Sequence, residues 1–333
     1  MPTRDEILAA AGDILRRPSP RLDEAEVRRY VQSWIERRPE FLATAKRHGS
    51  PLYVLDEEAI LRRAGEFLAT FRAEASDCRA YFAVKSNNCP EVAAAMLKAG
   101  LGLDVSSGLE LEMALGLGAR DIVFSGPAKT GAELALAAAH VDRVTVLMDS
   151  FAELDRLQAA AEAAGVTARA GVRLTTDERG LWRKFGLPLA DMPAFFAASA
   201  QRPNVDLRGV QFHTSWNMDA TAQEGFIARL GQALAGMAPG LRARVEFVDV
   251  GGGYWPPAGE WLHATATPEG RLAEAVLASG RPPLGHFRFA AAPLSDFARR
   301  IAAAVRTHLA PHAPCRLHLE PGRWVCHEGM SIL

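Results

Sequence analysis

Between Asp5 and Lys46 apolar side chains recur at helical intervals: Ile7, Leu8, Ala11 and Leu15, then Val27, Tyr30, Val31, Ile35, Phe41 and Leu42. Pro18 and Pro20 interrupt this stretch, which predicts two helices. From about residue 50 the pattern changes. Short β-rich runs alternate with Ala- and Leu-rich helical stretches, as expected of βα units around a parallel sheet. After a first run at Tyr53–Leu55, the predicted strands are Ala80–Val84, Leu103–Ser106, Ile122–Phe124, Val144–Met148, Ala168–Leu174, Leu207–Phe212, Val245–Val250 and Arg316–Leu319. Helical stretches such as Pro90–Lys98, Leu109–Leu117, Ala132–Ala139, Ala152–Ala163, Gln223–Met237 and Leu294–Leu309 lie between them. Eight successive units predict an α/β fold closed into a (β/α)8 TIM-like barrel rather than an open doubly wound sheet, and no Gly-x-Gly-x-x-Gly turn follows the first strand. The Pro- and Gly-rich stretch 254–293 is long for a βα loop and reads as a functional or partner-facing excursion.

The polar residues fall where such a barrel carries its chemistry, at the carboxyl ends of the strands. In order these ends hold Lys85, Asp104 with Ser106, Ser125-Gly126, Asp149, Arg173, His213, Gly251-Gly252-Gly253 and Glu320-Pro321-Gly322-Arg323. Each has two readings by itself. Lys85 follows an apolar strand, where burial favours loss of its proton and makes it a nucleophile for carbonyls, but a lone lysine there also snorkels to water. Three consecutive glycines are either a plain turn or a turn whose N–H groups close on a phosphate. Arg323 suits that phosphate or a surface ion pair, and His213 suits a site or the core.

Composition narrows the partners. With 38 Lys+Arg against 39 Asp+Glu the formal net charge is −1, and no basic run suggests nucleic acid or an anionic membrane. No long uncharged apolar run predicts a signal peptide or membrane span. The four cysteines, Cys78, Cys89, Cys315 and Cys326, lack the short spacing of a metal site or redox pair, so no metal and a reducing cytoplasm are expected.

Taken together, Tyr81–Asn88 (YFAVKSNN), Gly102–Ser107 (GLDVSS), Phe124–Thr130 (FSGPAKT), Asp149-Ser150, Lys184-Phe185-Gly186, Asp249–Tyr254 (DVGGGY) and Glu320–Arg323 (EPGR) resemble the fold-type III pyridoxal-phosphate enzymes. That family holds alanine racemase and the ornithine, arginine and diaminopimelate decarboxylases; the likeness runs from about Ser50 to Trp324 and is greatest to the decarboxylases. It implies pyridoxal 5'-phosphate held as a Schiff base on Lys85. The phosphate would rest on Gly251–Gly253, Gly322 and Arg323, with Asp104 and Arg173 as further cofactor contacts. His213 would stack on the ring, and Glu320 would keep its nitrogen protonated, where racemases place an arginine. Decarboxylation of a diaminopimelate-, ornithine-, lysine- or arginine-like amino acid is the expected activity. A non-catalytic cofactor carrier, a partner-binding pseudoenzyme and a racemase are the alternatives.

The chain departs from the family in places. Where the decarboxylases usually read His-x-Gly-Ser, it has His213-Thr214-Ser215-Trp216, so that phosphate contact passes to Ser215 or is lost. The helical leader and the excursion are also unlike the diaminopimelate enzymes. The resemblance further implies a β-rich second domain that helps form a dimer, yet only nine residues follow Trp324. The expected organisation is a helical extension over 1–49, the barrel over 50–324 and the start of a truncated β-domain over 325–333. A homodimer or a complementing chain is the expected assembly.

Overall fold

The computed structural model describes residues 2–16, 22–176, 184–263, 267–268, 271–272, 275 and 286–333. Pro18 and Pro20 lie outside the described residues, as does much of the excursion. Contacts within the chain group residues 1–54, 255–291 and 332–333 into one unit and residues 55–254 and 292–331 into another.

In the first unit the leader forms three helices, Arg4–Arg16, Glu24–Glu36 and Arg38–His48, where two were predicted. The added break falls at Arg37. Pro39 has no N–H to donate to a preceding turn but fits the first turn of a new helix, so the third helix starts there. The excursion belongs to the same unit and carries an antiparallel pair, β9 (Glu260–His263) with β10 (His286–Phe289). Trp261 meets Tyr30 edge-on at 5.1 Å between ring centroids, and Arg288 pairs with Glu26.

The second unit is the barrel. Its strands are β2 (Arg79–Ala83), β3 (Gly102–Val105), β4 (Ile122–Phe124), β5 (Val144–Met148), β6 (Ala168–Leu174), β7 (Val205–Phe212), β8 (Phe247–Asp249) and β11 (Arg316–Leu319). They close in the order β11-β2-β3-β4-β5-β6-β7-β8, and every pair is parallel. The short β1 (Tyr53–Leu55) and β12 (Met330–Ile332) form a separate ribbon. Tyr81, Val123, Leu147 and Phe247 plug the barrel interior, with His318 stacked on Phe247 at 4.6 Å. Room for the Phe247 ring comes from Gly209: a Cβ there would lie 2.5 Å from it. Outside the strands, Phe67 and Phe71 of the helix Glu57–Glu74 pack on Tyr254, and Phe67 also meets Trp324.

Several loops at the mouth end in a side-chain cap. Ser107, Thr130 and Ser150 each accept an N–H from the first turn of the following helix, so those loops are fixed at both ends. The excursion also leaves and returns at one place. Tyr254 bridges to Asn217, and the Ala292 N–H donates to the Met218 carbonyl at 2.7 Å.

Candidate active site

Strand β2 ends at Ala83 and the backbone tightens into a single 3-10 turn, Val84–Ser86, which puts Lys85 at the mouth. Its side chain is 43% exposed, and its Nζ donates to Asp104 Oδ2 at 2.8 Å from the end of β3. Asp104 is fully buried, and its Oδ1 accepts the Ser125 hydroxyl. Sequence reasoning expected Lys85 to lose its proton, and the structure reverses this. Burial does press the lysine that way, but Asp104 and Glu320 outweigh it and its pKa is raised. Burial and the Glu320 carboxylate in turn push Asp104 up to about 6, against the pull of Lys85.

Glu320 follows β11 and is also buried. Gln211 Nε2 donates to both its oxygens, at 3.3 and 3.4 Å, and His213 Nδ1 lies 3.7 Å from Oε2. Burial alone would protonate this acid, yet the Lys85 and Arg173 cations hold its pKa below the ordinary carboxylate range. Two neighbouring carboxylic acids are thus driven apart, Asp104 upward and Glu320 downward. His213 Nδ1 accepts the Gly252 N–H at 3.2 Å, and burial lowers the pKa of the ring, so it stands neutral with its proton on Nε2.

The glycine turn rests directly on Glu320. Gly251 and Gly253 have φ of 68° and 79°, which side chains resist, and a Cβ on Gly252 would lie 2.2 Å from the Glu320 carbonyl oxygen. The Gly251 carbonyl accepts the Glu320 N–H at 2.9 Å, while the Gly251 N–H donates to Asp249 Oδ1 at 2.8 Å. Asn217 ties the turn to the loop after β7. Its N–H reaches the Gly253 carbonyl at 3.0 Å and its Nδ2 the Gly252 carbonyl at 3.3 Å.

A cavity of about 420 Å³ opens beside this turn, within the size range of small-molecule sites. Arg173, Phe185, His213, Ser215 and Trp216 line it. Arg173 stacks on Phe185 at 4.8 Å, and the Gly186 N–H anchors that loop to Asp149 Oδ1 at 2.7 Å. Trp216 has a φ of 61°, a conformation costly for a side chain of its size and kept here at the rim of the cavity. Gly322 packs on the Ser86 hydroxyl, and Arg323 is exposed at the start of a helical turn.

Lys85, Asp104, His213, Glu320 and the three glycines therefore converge, while Arg173 and Ser215 sit on the adjoining cavity wall. Gln211 and Asn217 were not singled out from sequence, whereas Ser125 was, at the end of the third strand. Gln211 was within reach, because it lies two residues before His213 and β-strand alternation points both the same way. Among the described residues no group of three or more His, Cys, Asp or Glu could hold a metal, and no helix is long and apolar enough to cross a membrane. The residues do fit pyridoxal phosphate: a reachable amine, a buried ionised carboxylate for a ring nitrogen, and a glycine turn too tight for any side chain.

Comparison with known proteins agrees. Residues 58–327 match the family model of the pyridoxal-dependent decarboxylase, pyridoxal binding domain. The diaminopimelate decarboxylase of Mycobacterium tuberculosis is 28% identical over 311 residues, covering 87% of this chain and 62% of the relative. The ornithine decarboxylase of Leishmania donovani is 32% identical over 210 residues, covering 61% of this chain and 29% of the relative. The chain thus spans less than two thirds of the length of these relatives. Among solved structures, diaminopimelate decarboxylase from Helicobacter pylori complexed with L-lysine has the same fold, with a TM-score of 0.68 at 20% identity over 88% of this chain and 68% of that one. The match covers most of the described barrel, and the chain belongs to the pyridoxal-dependent decarboxylase family through its pyridoxal-binding domain, with pyridoxal 5'-phosphate as cofactor.

Proposed function

We propose that this chain is the cofactor-binding barrel of an amino-acid decarboxylase acting on a small basic or diamino acid, with Lys85 as the residue that holds the cofactor. The observation that carries this reading is the placement of the Lys85 amine and the Glu320 carboxylate within each other's field at the barrel mouth, with the glycine turn packed on Glu320. Pyridoxal phosphate, when bound, supplies a ring that accepts the electron pair released at the substrate α-carbon.

The chain's own residues have separable tasks. The Gly251 and Gly252 N–H groups are engaged by Asp249 Oδ1 and His213 Nδ1, so what Gly251–Gly253 offer a phosphate is close approach to a backbone without side chains, and the Ser215 hydroxyl and Arg173 stand on the cavity wall to supply polar contacts. His213, neutral and tied to Gly252, presents a flat face beside the turn. Glu320 stays ionised and would hold a proton at a ring nitrogen set against it, which a positive residue in its place would repel. Lys85 waits as an ammonium on Asp104 and must pass a proton from Nζ before the nitrogen is nucleophilic. The relatives' names favour substrates of the diaminopimelate and ornithine class.

Borohydride reduction of the chain saturated with pyridoxal phosphate, followed by peptide mapping, is expected to leave the phosphopyridoxyl group on Lys85. Labelling at another lysine, or no labelling, would overturn the assignment.

A further inference from the structure

Two buried acceptors at neighbouring positions have no hydrogen-bond partner among the described residues, Asp249 Oδ2 and Gln211 Oε1. Gln211 on β7 and Asp249 on β8 are register partners, and both are almost completely buried. The other polar atom of each is already engaged. Asp249 Oδ1 accepts the Gly251 N–H, and Gln211 Nε2 donates to Glu320. Turning the amide over would offer Nε2 to Asp249 but aim Oε1 at the Glu320 carboxylate, trading one clash of lone pairs for a worse one. One proton removes the difficulty.

We propose that Asp249 is a carboxylic acid whose Oδ2–H donates to Gln211 Oε1. Gly251, Asp249, Gln211 and Glu320 then form one continuous chain, joining the glycine turn to the Glu320 carboxylate. Asp249 and Gln211 are positioning residues: the acid fixes the amide, and the fixed amide keeps its N–H on Glu320. Burial, followed by the Glu320 and Asp104 carboxylates, drives Asp249 toward its protonated form, while the Gly251 N–H and Lys85 pull the other way. The Tyr254 phenol also feels Asp249. His318, the register partner on β11, has its ring turned onto Phe247 and Tyr81. The task given to Glu320 rests on the proposed function; the proton on Asp249 does not.

Infrared spectroscopy of the cofactor-free chain, with and without 13C-labelled aspartate, tests the proton directly. At pH 7 a label-sensitive carboxylic-acid carbonyl band is expected, absent in Asp249→Asn and shifted in Gln211→Leu, which lacks the acceptor. No such band, a band that survives in Asp249→Asn, or a band unmoved in Gln211→Leu would overturn the proposal. Pyridoxal phosphate binding tests the positioning role. The conservative Asp249→Asn, which keeps a donor for Gln211 and an acceptor for Gly251, should stay within about threefold of the parent affinity, whereas Asp249→Leu should lose about tenfold or more. Equal losses in both would refute a neutral donor at this position. Failure of Lys85 labelling would leave the infrared result standing, so the two readings fail separately.

Discussion

Gly252→Ala adds one methyl at the point where the turn leans on β11. That Cβ would lie 2.2 Å from the Glu320 carbonyl oxygen, 1.2 Å short of the 3.4 Å at which ordinary contact begins (3.4 − 2.2). The obstacle is backbone, and the Glu320 N–H to Gly251 bond at 2.9 Å holds the same two segments together, so neither yields without breaking a contact. Overpacking of this kind costs about 1–3 kcal/mol. The turn must move by about 1 Å, and a phosphate seated against its bare backbone loses that fit when it does. If that cost falls on binding, affinity for pyridoxal phosphate should drop about five- to 150-fold. Fluorescence titration of Gly252→Ala and the parent measures it. Gly65→Ala is the control, since Gly65 is an exposed helix position with nothing within 4 Å of the added methyl; it should bind normally and be slightly more stable. Gly252→Ala binding within about threefold of the parent, a difference of about 0.7 kcal/mol, would refute the cradle.

Glu320→Gln removes the charge but keeps the shape, so cofactor binding should stay nearly unchanged. Carbon dioxide release by the complete protein should then fall about 10²-fold or more, equivalent to about 2.7 kcal/mol of barrier; equal turnover would dismiss the electron-sink role. His318 gives a pH signature that needs no cofactor. Burial, with Arg79 and Arg316, lowers its pKa to about 3. Between the ordinary value of 6.5 and about 3 the unfolded chain binds a proton that the folded chain refuses, so stability is full above 6.5 and falls as the pH drops. Urea unfolding of the parent should lose about 1.4 kcal/mol per pH unit more than His318→Leu across pH 6 to 4, and parallel pH profiles would count against a buried neutral ring.

The barrel was legible because its strands are largely buried on both faces and read as short apolar runs, unbroken in Ile122–Phe124 and interrupted only by Thr145 in Val144–Met148. The strand-end residues were legible for the same reason, since a charged or glycine residue closing an apolar run is conspicuous. The charge of Lys85 was not. Its surroundings were judged from its own strand, whereas Asp104, nineteen residues on, decides them. Gln211 escaped notice because an amide inside a strand looks ordinary until Glu320, 109 residues away, is seen to need it. The union of the leader with the excursion was invisible altogether, because contacts such as Tyr30 with Trp261 leave no periodic trace in either segment. The third leader helix was hidden differently: Pro39 was not read as the start of a helix.

The paired exit and return of the excursion bear on how such a chain diversifies. Tyr254 and Ala292 are fastened to Asn217 and Met218, adjacent residues of one loop, so the barrel experiences the intervening 37 residues, 255–291, as a short hop. Enlarging a segment with fixed ends adds only about 0.6 kcal/mol for each doubling of its length, and insertions survive best where their ends lie together. This point of the barrel is therefore a graft site. Extra sequence can lengthen, shrink or be replaced there over generations while the stitch through Asn217 holds the glycine turn still.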